Sequence, residues 1–221
     1  MKVGTDGVLL GAWVSLNNAY RILDIGTGTG VIAIMLAQRS RQEAIIDAIE
    51  IDKDACNQAI ENVGNCQWKD RINIRHTSLQ EYYKSSEYSY DLIISNPPFF
   101  VQGSKPKVQN RINARHIDSL THEDLILSSK SLLNKSGVLS IILPVAEGKQ
   151  MVQFAETNGL YCHHLVEVKP KMDKPVERLL LSFSKTPPSE IIKSELIIQF
   201  EKRNNYTPEY VALTKDFYTI M

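Results

Sequence analysis

Short apolar runs alternate with amphipathic segments along most of the chain. The runs are rich in isoleucine, leucine and valine, and they predict strands at 21–24, 45–50, 72–75, 91–95, 138–143, 161–168 and 177–183. Segments with helical spacing predict helices at 31–38, 54–63, 123–133 and 147–158. This alternation is typical of an α/β fold, in which helices cover a mostly parallel, doubly wound sheet. Ligands then bind outside the carboxyl ends of the strands.

Glycine and proline positions mark expected breaks between elements. Gly137 and Gly159 follow predicted helices and are expected to end them, while Thr207-Pro208 has the sequence of a helix N-cap with proline at the first helical position. We expect one domain over residues 1–221, with residues 186–221 as a C-terminal tail packed on it.

A glycine-rich turn follows the first predicted strand and leads directly into a predicted helix. It reads Asp24-Ile25-Gly26-Thr27-Gly28-Thr29-Gly30. Glycines permit positive φ and close approach of the main chain to a ligand. The spacing is not the dinucleotide fingerprint, which needs a glycine where this chain has Val31, and no Gly-Lys-Ser/Thr follows for a phosphate loop. Glu50 ends the next strand about 20 residues later, where a carboxylate can accept hydrogen bonds from a ribose.

The tetrapeptide Asn96-Pro97-Pro98-Phe99 follows the apolar run at 92–94. Two prolines make the backbone stiff and remove N–H donors, so the segment presents carbonyl oxygens beside one amide and one ring. Acceptor oxygens next to a flat ring suit a planar group that carries an NH2, such as a nucleobase amine. The alternative is a buried strand that ends in proline, with Phe99 and Phe100 filling the core.

Together these motifs resemble the methyltransferases that use S-adenosylmethionine. The resemblance narrows to the tRNA1(Val) adenine-37 N6-methyltransferase family and covers essentially the whole chain. It rests on the segment 2–13 (KVGTDGVLLGAW), on residues 96–100 (NPPFF), on Ala114-Arg115-His116 and on the tail between Tyr206 and Tyr218. It implies a Rossmann-like class I methyltransferase fold, whose seven-stranded sheet is mostly parallel with an antiparallel last strand. It also implies S-adenosylmethionine as cofactor, with S-adenosylhomocysteine as product, and tRNA as partner.

The same resemblance, with the chemistry of the motifs, assigns candidate roles. Catalysis is assigned to Asn96 and Pro97, whose oxygens accept the two amine hydrogens, and to Phe99, which stacks on the base. The family often carries an acidic or amide residue after the third strand to bind the cofactor's adenine, whereas this chain has His76-Thr77-Ser78. The predicted cofactor-binding residues are Thr5, Asp6, Asp24, Gly26, Thr27, Gly28, Glu50, Ile51, Ser78, Leu79 and Asn96. The predicted RNA-contacting residues are Pro98, Phe100, Lys105, Lys107, Arg111 and Arg115.

Composition limits the remaining possibilities. Formal net charge is zero and 43% of residues are hydrophobic, as in an ordinary globular protein. No apolar run approaches the roughly 20 residues needed to cross a bilayer, and the three cysteines lack metal-ligand spacing, so we expect a cytoplasmic monomer without metal. The stretch 101–115 carries four basic residues and no acidic one, which favours RNA binding, although a solvated loop has the same composition.

Several functions fit parts of this pattern. The first hypothesis is N6-methylation of an unpaired adenine in a tRNA anticodon loop, since such a base is easily extruded. Alternatives are N2-methylation of guanine in ribosomal RNA and N5-methylation of a protein glutamine, whose enzymes prefer tyrosine at position 99. A dinucleotide-dependent oxidoreductase leaves the Asn96 motif unexplained, and a cofactor-binding module without catalysis is a further alternative. Family members usually carry a short aromatic and basic segment upstream of Lys2.

Overall fold

The computed structural model describes residues 4–98, 120–202 and 204–218. In this part of the chain, eight strands form one sheet in the order β3-β2-β1-β4-β5-β7-β6-β8. The strands are β1 Arg21–Ile25, β2 Ile45–Glu50, β3 Ile72–His76, β4 Tyr90–Ser95, β5 Leu133–Pro144, β6 Tyr161–Lys171, β7 Arg178–Ser184 and β8 Ile192–Gln199. The helices are α1 Thr5–Trp13, α2 Val31–Arg39, α3 Lys53–Gly64, α4 Leu79–Ser85, α5 His122–Leu132, α6 Val145–Thr157 and α7 Pro208–Thr214.

The strand pairing confirms the predicted α/β architecture. Strands β3, β2, β1, β4 and β5 are parallel, and β7 pairs antiparallel with both β5 and β6. The antiparallel orientation expected of the seventh strand is therefore confirmed. Because parallel neighbours keep their carboxyl ends on one edge, the residues that follow β1, β2, β3 and β4 lie at that edge.

The predicted count of seven strands is wrong, because β8 adds an eighth. It lies in the segment expected to be a tail and pairs parallel with β6 at the edge of the sheet. Of its residues only Leu196 is buried, and Ile192 is 62% exposed. An edge strand with one buried position lacks the apolar run or clean alternation by which a strand is recognised.

Both faces of the sheet are covered, and consecutive residues of the central strands belong to different cores. Ile22 packs with Leu36 and Leu10 on the face covered by α1, α2 and α3. Leu23 packs with Leu125 on the face covered by α4, α5 and α6. Burial on both faces explains why these strands appear in the sequence as continuous apolar runs. Within the described residues, every helix is too short or too polar to cross a bilayer.

Local breaks agree with most of the glycine and proline predictions. Gly159 has φ +77° just after α6, and the Thr207 hydroxyl accepts from the Tyr210 N–H with Pro208 at the first helical position, so both are confirmed. Gly137 was predicted wrongly, because α5 ends at Leu132 and Gly137 lies inside β5. A Cβ there would meet the Tyr90 carbonyl oxygen at 2.6 Å, so close backbone packing excludes a side chain.

Candidate active site

The loop between β1 and α2 turns at three glycines. Gly26, Gly28 and Gly30 have φ of +70°, +60° and +82°, a region that favours glycine. The N–H groups of Gly26 and Thr27 both donate to the Ile49 carbonyl, at 2.9 and 3.0 Å, which fixes the loop against β2. A Cβ on Gly26 would meet nothing within 4 Å, so the main chain there is open to a ligand.

Asp24 is the last residue but one of β1, and its carboxyl group is fully buried. Its Oδ2 accepts from the Thr27 hydroxyl at 2.6 Å, whereas its buried Oδ1 accepts from no residue in the described ranges. Burial raises the pKa of Asp24 from 3.8 to about 7; hydrogen bonding to Thr27 and the Ala33 main chain opposes this, and the charge of Glu50 adds to it. A donor or cation at Oδ1 would therefore make ionisation much easier.

Glu50 ends β2 on the other side of the same loop. Its carboxylate accepts from the Gly28 N–H at 2.8 Å and from the Asp52 N–H at 2.9 Å. These two main-chain donors, one to each oxygen, fix the orientation of the carboxylate. Each oxygen keeps a second lone pair, so Glu50 can also accept hydrogen bonds from ligand hydroxyls.

A cavity of about 490 Å³ opens between these groups, and we call it the glycine-loop cavity. Seven of the predicted cofactor-binding residues line it: Gly26, Gly28, Glu50, Ile51, Ser78, Leu79 and Asn96. Asp24 and Thr27 belong to the same glycine-rich turn and are buried, but they do not line the cavity. Thr77, which belongs to the turn that sequence reasoning noted after the third strand, also lines it, and Gln80 and Leu120 line it without having been predicted. Gln80 directly follows the predicted Leu79, so the start of α4 was the available signal.

Asn96 follows β4 at the mouth of this cavity. The preceding Ser95 hydroxyl donates to the Ile25 carbonyl at 2.8 Å, which ties the end of β4 to β1. The Asn96 Oδ1 is buried and accepts from no residue in the described part of the chain. Pro97 is buried, whereas Pro98, predicted to contact RNA, is exposed and lines the glycine-loop cavity. An unpaired buried amide oxygen is costly unless a ligand supplies a donor.

A second cavity, of about 500 Å³, lies on the side of Asn96 toward β6 and β7, and we call it the α1–β7 cavity. Thr5 and Asp6 line it, although they were predicted to close over the cofactor, and neither lines the glycine-loop cavity. The Arg178 Nε donates to the Asp6 carboxylate at 2.9 Å, which joins α1 to the start of β7. Asn96 lines both cavities and thus stands between them.

Some predicted residues lie outside the described ranges. These are the candidate stacking residue Phe99 and the RNA-contacting candidates Phe100, Lys105, Lys107, Arg111 and Arg115. The basic stretch 101–115 therefore stays a prediction from sequence.

Comparisons with known proteins give a family. Residues 5–152 match the methyltransferase small domain. The tRNA1(Val) (adenine(37)-N6)-methyltransferase of Trichodesmium erythraeum is 47% identical over 99% of this chain and 91% of its own length. The enzyme of the same name from Parabacteroides distasonis is 45% identical over 100% of this chain and 92% of its own length. The chain belongs to the tRNA1(Val) (adenine(37)-N6)-methyltransferase family. The suspected family resemblance is thereby confirmed.

A solved structure supports the fold assignment. The crystal structure of "a predicted O-methyltransferase" from Agrobacterium tumefaciens superposes with a TM-score of 0.75 over 96% of both chains, at 18% identity. At that identity the likeness shows the fold alone, and it confirms the class I methyltransferase architecture. Membership in a methyltransferase family is incompatible with the dinucleotide-dependent oxidoreductase alternative.

Proposed function

We propose that this chain transfers a methyl group from S-adenosylmethionine to the exocyclic N6 of an adenine in a tRNA anticodon loop, position 37 of tRNA1(Val). The observation that carries the proposal is the position of Asn96. Its unpaired, buried amide oxygen stands between two cavities of similar size, one beside the glycine loop and one beside α1 and β7. The names of the relatives supply the substrate.

The residues of the glycine-loop cavity fit S-adenosylmethionine. The unpaired Asp24 Oδ1 would accept from the ammonium of its amino-acid part, and Gly26 lets the main chain approach that part closely. Glu50, held by two main-chain donors, would accept from the ribose hydroxyls, while Ile51 and Leu79 would flank the adenine. When bound, this cofactor supplies an electrophilic methyl group on a sulfonium.

Asn96 and Pro97 would hold the target amine. Their two oxygens would each accept one N6 hydrogen, which orients the nitrogen lone pair toward the glycine-loop cavity. The same acceptors would stabilise the positive charge that develops on nitrogen, as an oxyanion hole does for negative charge. Positioning two reactants in this way lowers a barrier by about 7–11 kcal/mol. The same proposal includes stacking of Phe99 on the target base and binding of RNA by the basic stretch 101–115.

The α1–β7 cavity is the proposed place for the extruded base. It lies against Asn96 and is walled by apolar side chains, among them Leu9 and Val168, beside the Asp6–Arg178 ion pair. Apolar walls with a few polar groups are typical of a pocket for a planar ligand. N2-methylation of guanine and N5-methylation of glutamine need the same kind of acceptor pair, but the relatives' names specify adenine N6.

Asn96→Ala tests this proposal. We expect methyl transfer to unmodified tRNA to fall by about 10²–10³-fold or more, because a positioned hydrogen-bonding group is lost from the reacting centre. Affinity for S-adenosylhomocysteine should stay close to that of the unchanged chain. Asn158→Ala is the matched control, since this amide bonds to the Phe154 carbonyl at the end of α6 and lines neither cavity.

Mass spectrometry of the product nucleosides gives the decisive readout. N6-methyladenosine is expected among the nucleosides, and mass spectrometry of ribonuclease fragments is expected to place it at position 37. A different methylated nucleoside, or methylated glutamine in a protein fraction, would refute the assignment. Equal losses of activity and cofactor affinity in Asn96→Ala would show that the residue is structural.

A further inference from the structure

A groove lies between α4 and α5, outside both cavities of the candidate active site. It encloses about 680 Å³. Gln80, Tyr83 and Lys84 line it from α4, and Lys130 lines it from α5. The α4 residues are spaced three and four apart, so they share one helix face. Lys185, just after β7, also lines the groove.

The groove concentrates positive charge on a chain whose formal net charge is zero. Lys84, Lys130 and Lys185 make no ion pair with any carboxylate in the described ranges. The carboxylate that lines the groove, Asp124, accepts instead from the Gln80 amide at 3.0 Å. Three lysines and one carboxylate therefore line the groove, which leaves it with an excess of positive charge and with none of these lysines in a described ion pair.

Two of these cations also lie close enough to repel each other. The pKa of Lys185 is lowered, first by burial and then by the positive charge of Lys130. The Lys185 ammonium donates to the Leu133 carbonyl, so it is held in place beside its neighbour. An anion in the groove would relieve this repulsion.

The groove adjoins the glycine-loop cavity, because Gln80 lines both. From Gln80 to Lys84 the distance along the helix axis is about 6 Å, as given by a rise of 1.5 Å per residue. Two large side chains on its rim are substantially exposed, Tyr83 at 43% and Leu127 at 47%. An elongated polymer that enters the active site can thus continue along this surface.

We propose that this α4–α5 groove binds the sugar-phosphate backbone of the RNA substrate, with Lys84 and Lys130 each contacting a phosphate. The inference rests on the proposed function, which brings RNA to Asn96. Lysine side chains, together with a tyrosine hydroxyl, are usual donors to phosphate oxygens, and such contacts fix the register of a nucleic acid without reading its sequence. Lys185 adds to the positive electrostatic potential of the groove, while its ammonium stays bonded to the Leu133 carbonyl.

The double variant Lys84→Glu/Lys130→Glu tests the groove. Each lost phosphate contact lowers the slope of log affinity against log salt by about 0.7 for single strands and about 0.9 for duplex, so two contacts lower it by about 1.4–1.8. We expect this change in tRNA binding, with a loss of affinity of about tenfold or more at low salt. Affinity for S-adenosylhomocysteine should not change, because neither lysine lines the glycine-loop cavity.

Lys69→Glu/Lys193→Glu is the matched control. It makes the same change in net charge at two exposed lysines, one before β3 and one on β8, at opposite edges of the sheet. Lys84→Arg/Lys130→Arg is a second variant, which should keep tRNA affinity because the charge remains.

The outcomes separate the groove from the proposed function. If both glutamate pairs behave alike, or if the arginine pair loses tRNA affinity as the glutamate pair does, the groove does not bind phosphate. Methylation of tRNA by the unchanged chain would leave the proposed function intact in that case. If the unchanged chain methylates a protein and no RNA, the proposed function fails, and the groove's role fails with it.

Discussion

Because the Asp24 carboxyl is buried, we predict that removing its charge raises the stability of the folded chain and lowers its affinity for the cofactor. Asp24→Asn replaces the carboxyl by a neutral group of the same shape. In the folded chain without ligand, ionised Asp24 is unfavourable, because burial raises its pKa from 3.8 to about 7. The variant should therefore be more stable than the unchanged chain at alkaline pH, and less able to bind the cofactor.

The sign follows from proton linkage. A raised pKa in the folded state contributes stability that is complete below pH 3.8 and is lost as the pH rises through about 7. The full loss is about 4 kcal/mol at 1.36 kcal/mol per pKa unit, and about 2–3 kcal/mol of it falls between pH 5 and pH 8. The asparagine has no such dependence. Leaving the buried asparagine amide without all of its hydrogen bonds costs about 1–3 kcal/mol of stability. This cost is the same at pH 5 and pH 8, so it cancels when the two pH values are compared.

Thermal unfolding at pH 5 and pH 8 measures this difference. For a chain of this size 1 kcal/mol shifts Tm by about 2–4 °C. The advantage of Asp24→Asn over the unchanged chain should thus grow by roughly 5–10 °C between the two pH values. Isothermal titration with S-adenosylhomocysteine should show a loss of affinity of about tenfold to a hundredfold, the worth of one hydrogen bond to a charged group.

Two results would refute this reasoning. If Asp24→Asn were less stable than the unchanged chain by the same amount at pH 5 and pH 8, burial would not disfavour the ionised form of Asp24. Unchanged affinity for S-adenosylhomocysteine would mean that the unpaired Oδ1 does not meet the ligand's ammonium. The control is Asp47→Asn, since Asp47 is also buried but accepts from Arg21 and Tyr90 and lines neither cavity.

Two further predictions use differences between neighbouring positions. Gly26→Ala and Gly30→Ala both place a Cβ at positive φ, so each should lower the free energy of unfolding in urea by about 1–2 kcal/mol. Only Gly26 lines the glycine-loop cavity, so only Gly26→Ala should also lose cofactor affinity. Equal losses of affinity would contradict this. Asp6→Asn should raise KM for tRNA severalfold in steady-state assays while leaving S-adenosylhomocysteine affinity intact, because Asp6 lines the α1–β7 cavity; weaker cofactor binding would instead support the sequence-based expectation.

The central sheet and the glycine loop could be predicted because their signals are local. Strand β4 is buried on both faces, so Leu92-Ile93-Ile94 appears as a continuous apolar run. Helix α1 gave no such signal, although it is well packed. Its residues 8–12 are buried one after another, and a helix buried all round has no amphipathic period. Helix α4 has only seven residues, too few to establish one.

The arrangement of the site was partly beyond sequence reasoning. The glycine loop and Glu50 lie side by side, as the strand order predicts, because they follow adjacent strands of a parallel sheet; their roles stay predictions. The α1–β7 cavity depends on Asp6 and Arg178, which meet across 172 positions of the chain. No local pattern indicates a contact of that range, so nothing in the sequence indicated that Asp6 lines the α1–β7 cavity; its assignment to the cofactor stays a prediction.

The unpaired atoms of the site also argue for the kind of ligand it takes. At the two cavities, Asp24 Oδ1 and Asn96 Oδ1 are buried acceptors without a described donor, and each such group costs about 1–3 kcal/mol. Both therefore favour ligands that present N–H groups, one beneath the glycine loop and one beside the α1–β7 cavity. A pyrophosphate at the loop would bring only acceptor oxygens and negative charge toward Asp24 and Glu50, with an energetic cost. An ammonium and a nucleobase amine satisfy both atoms, and these are the groups that a cofactor with an amino-acid part and an adenine substrate provide.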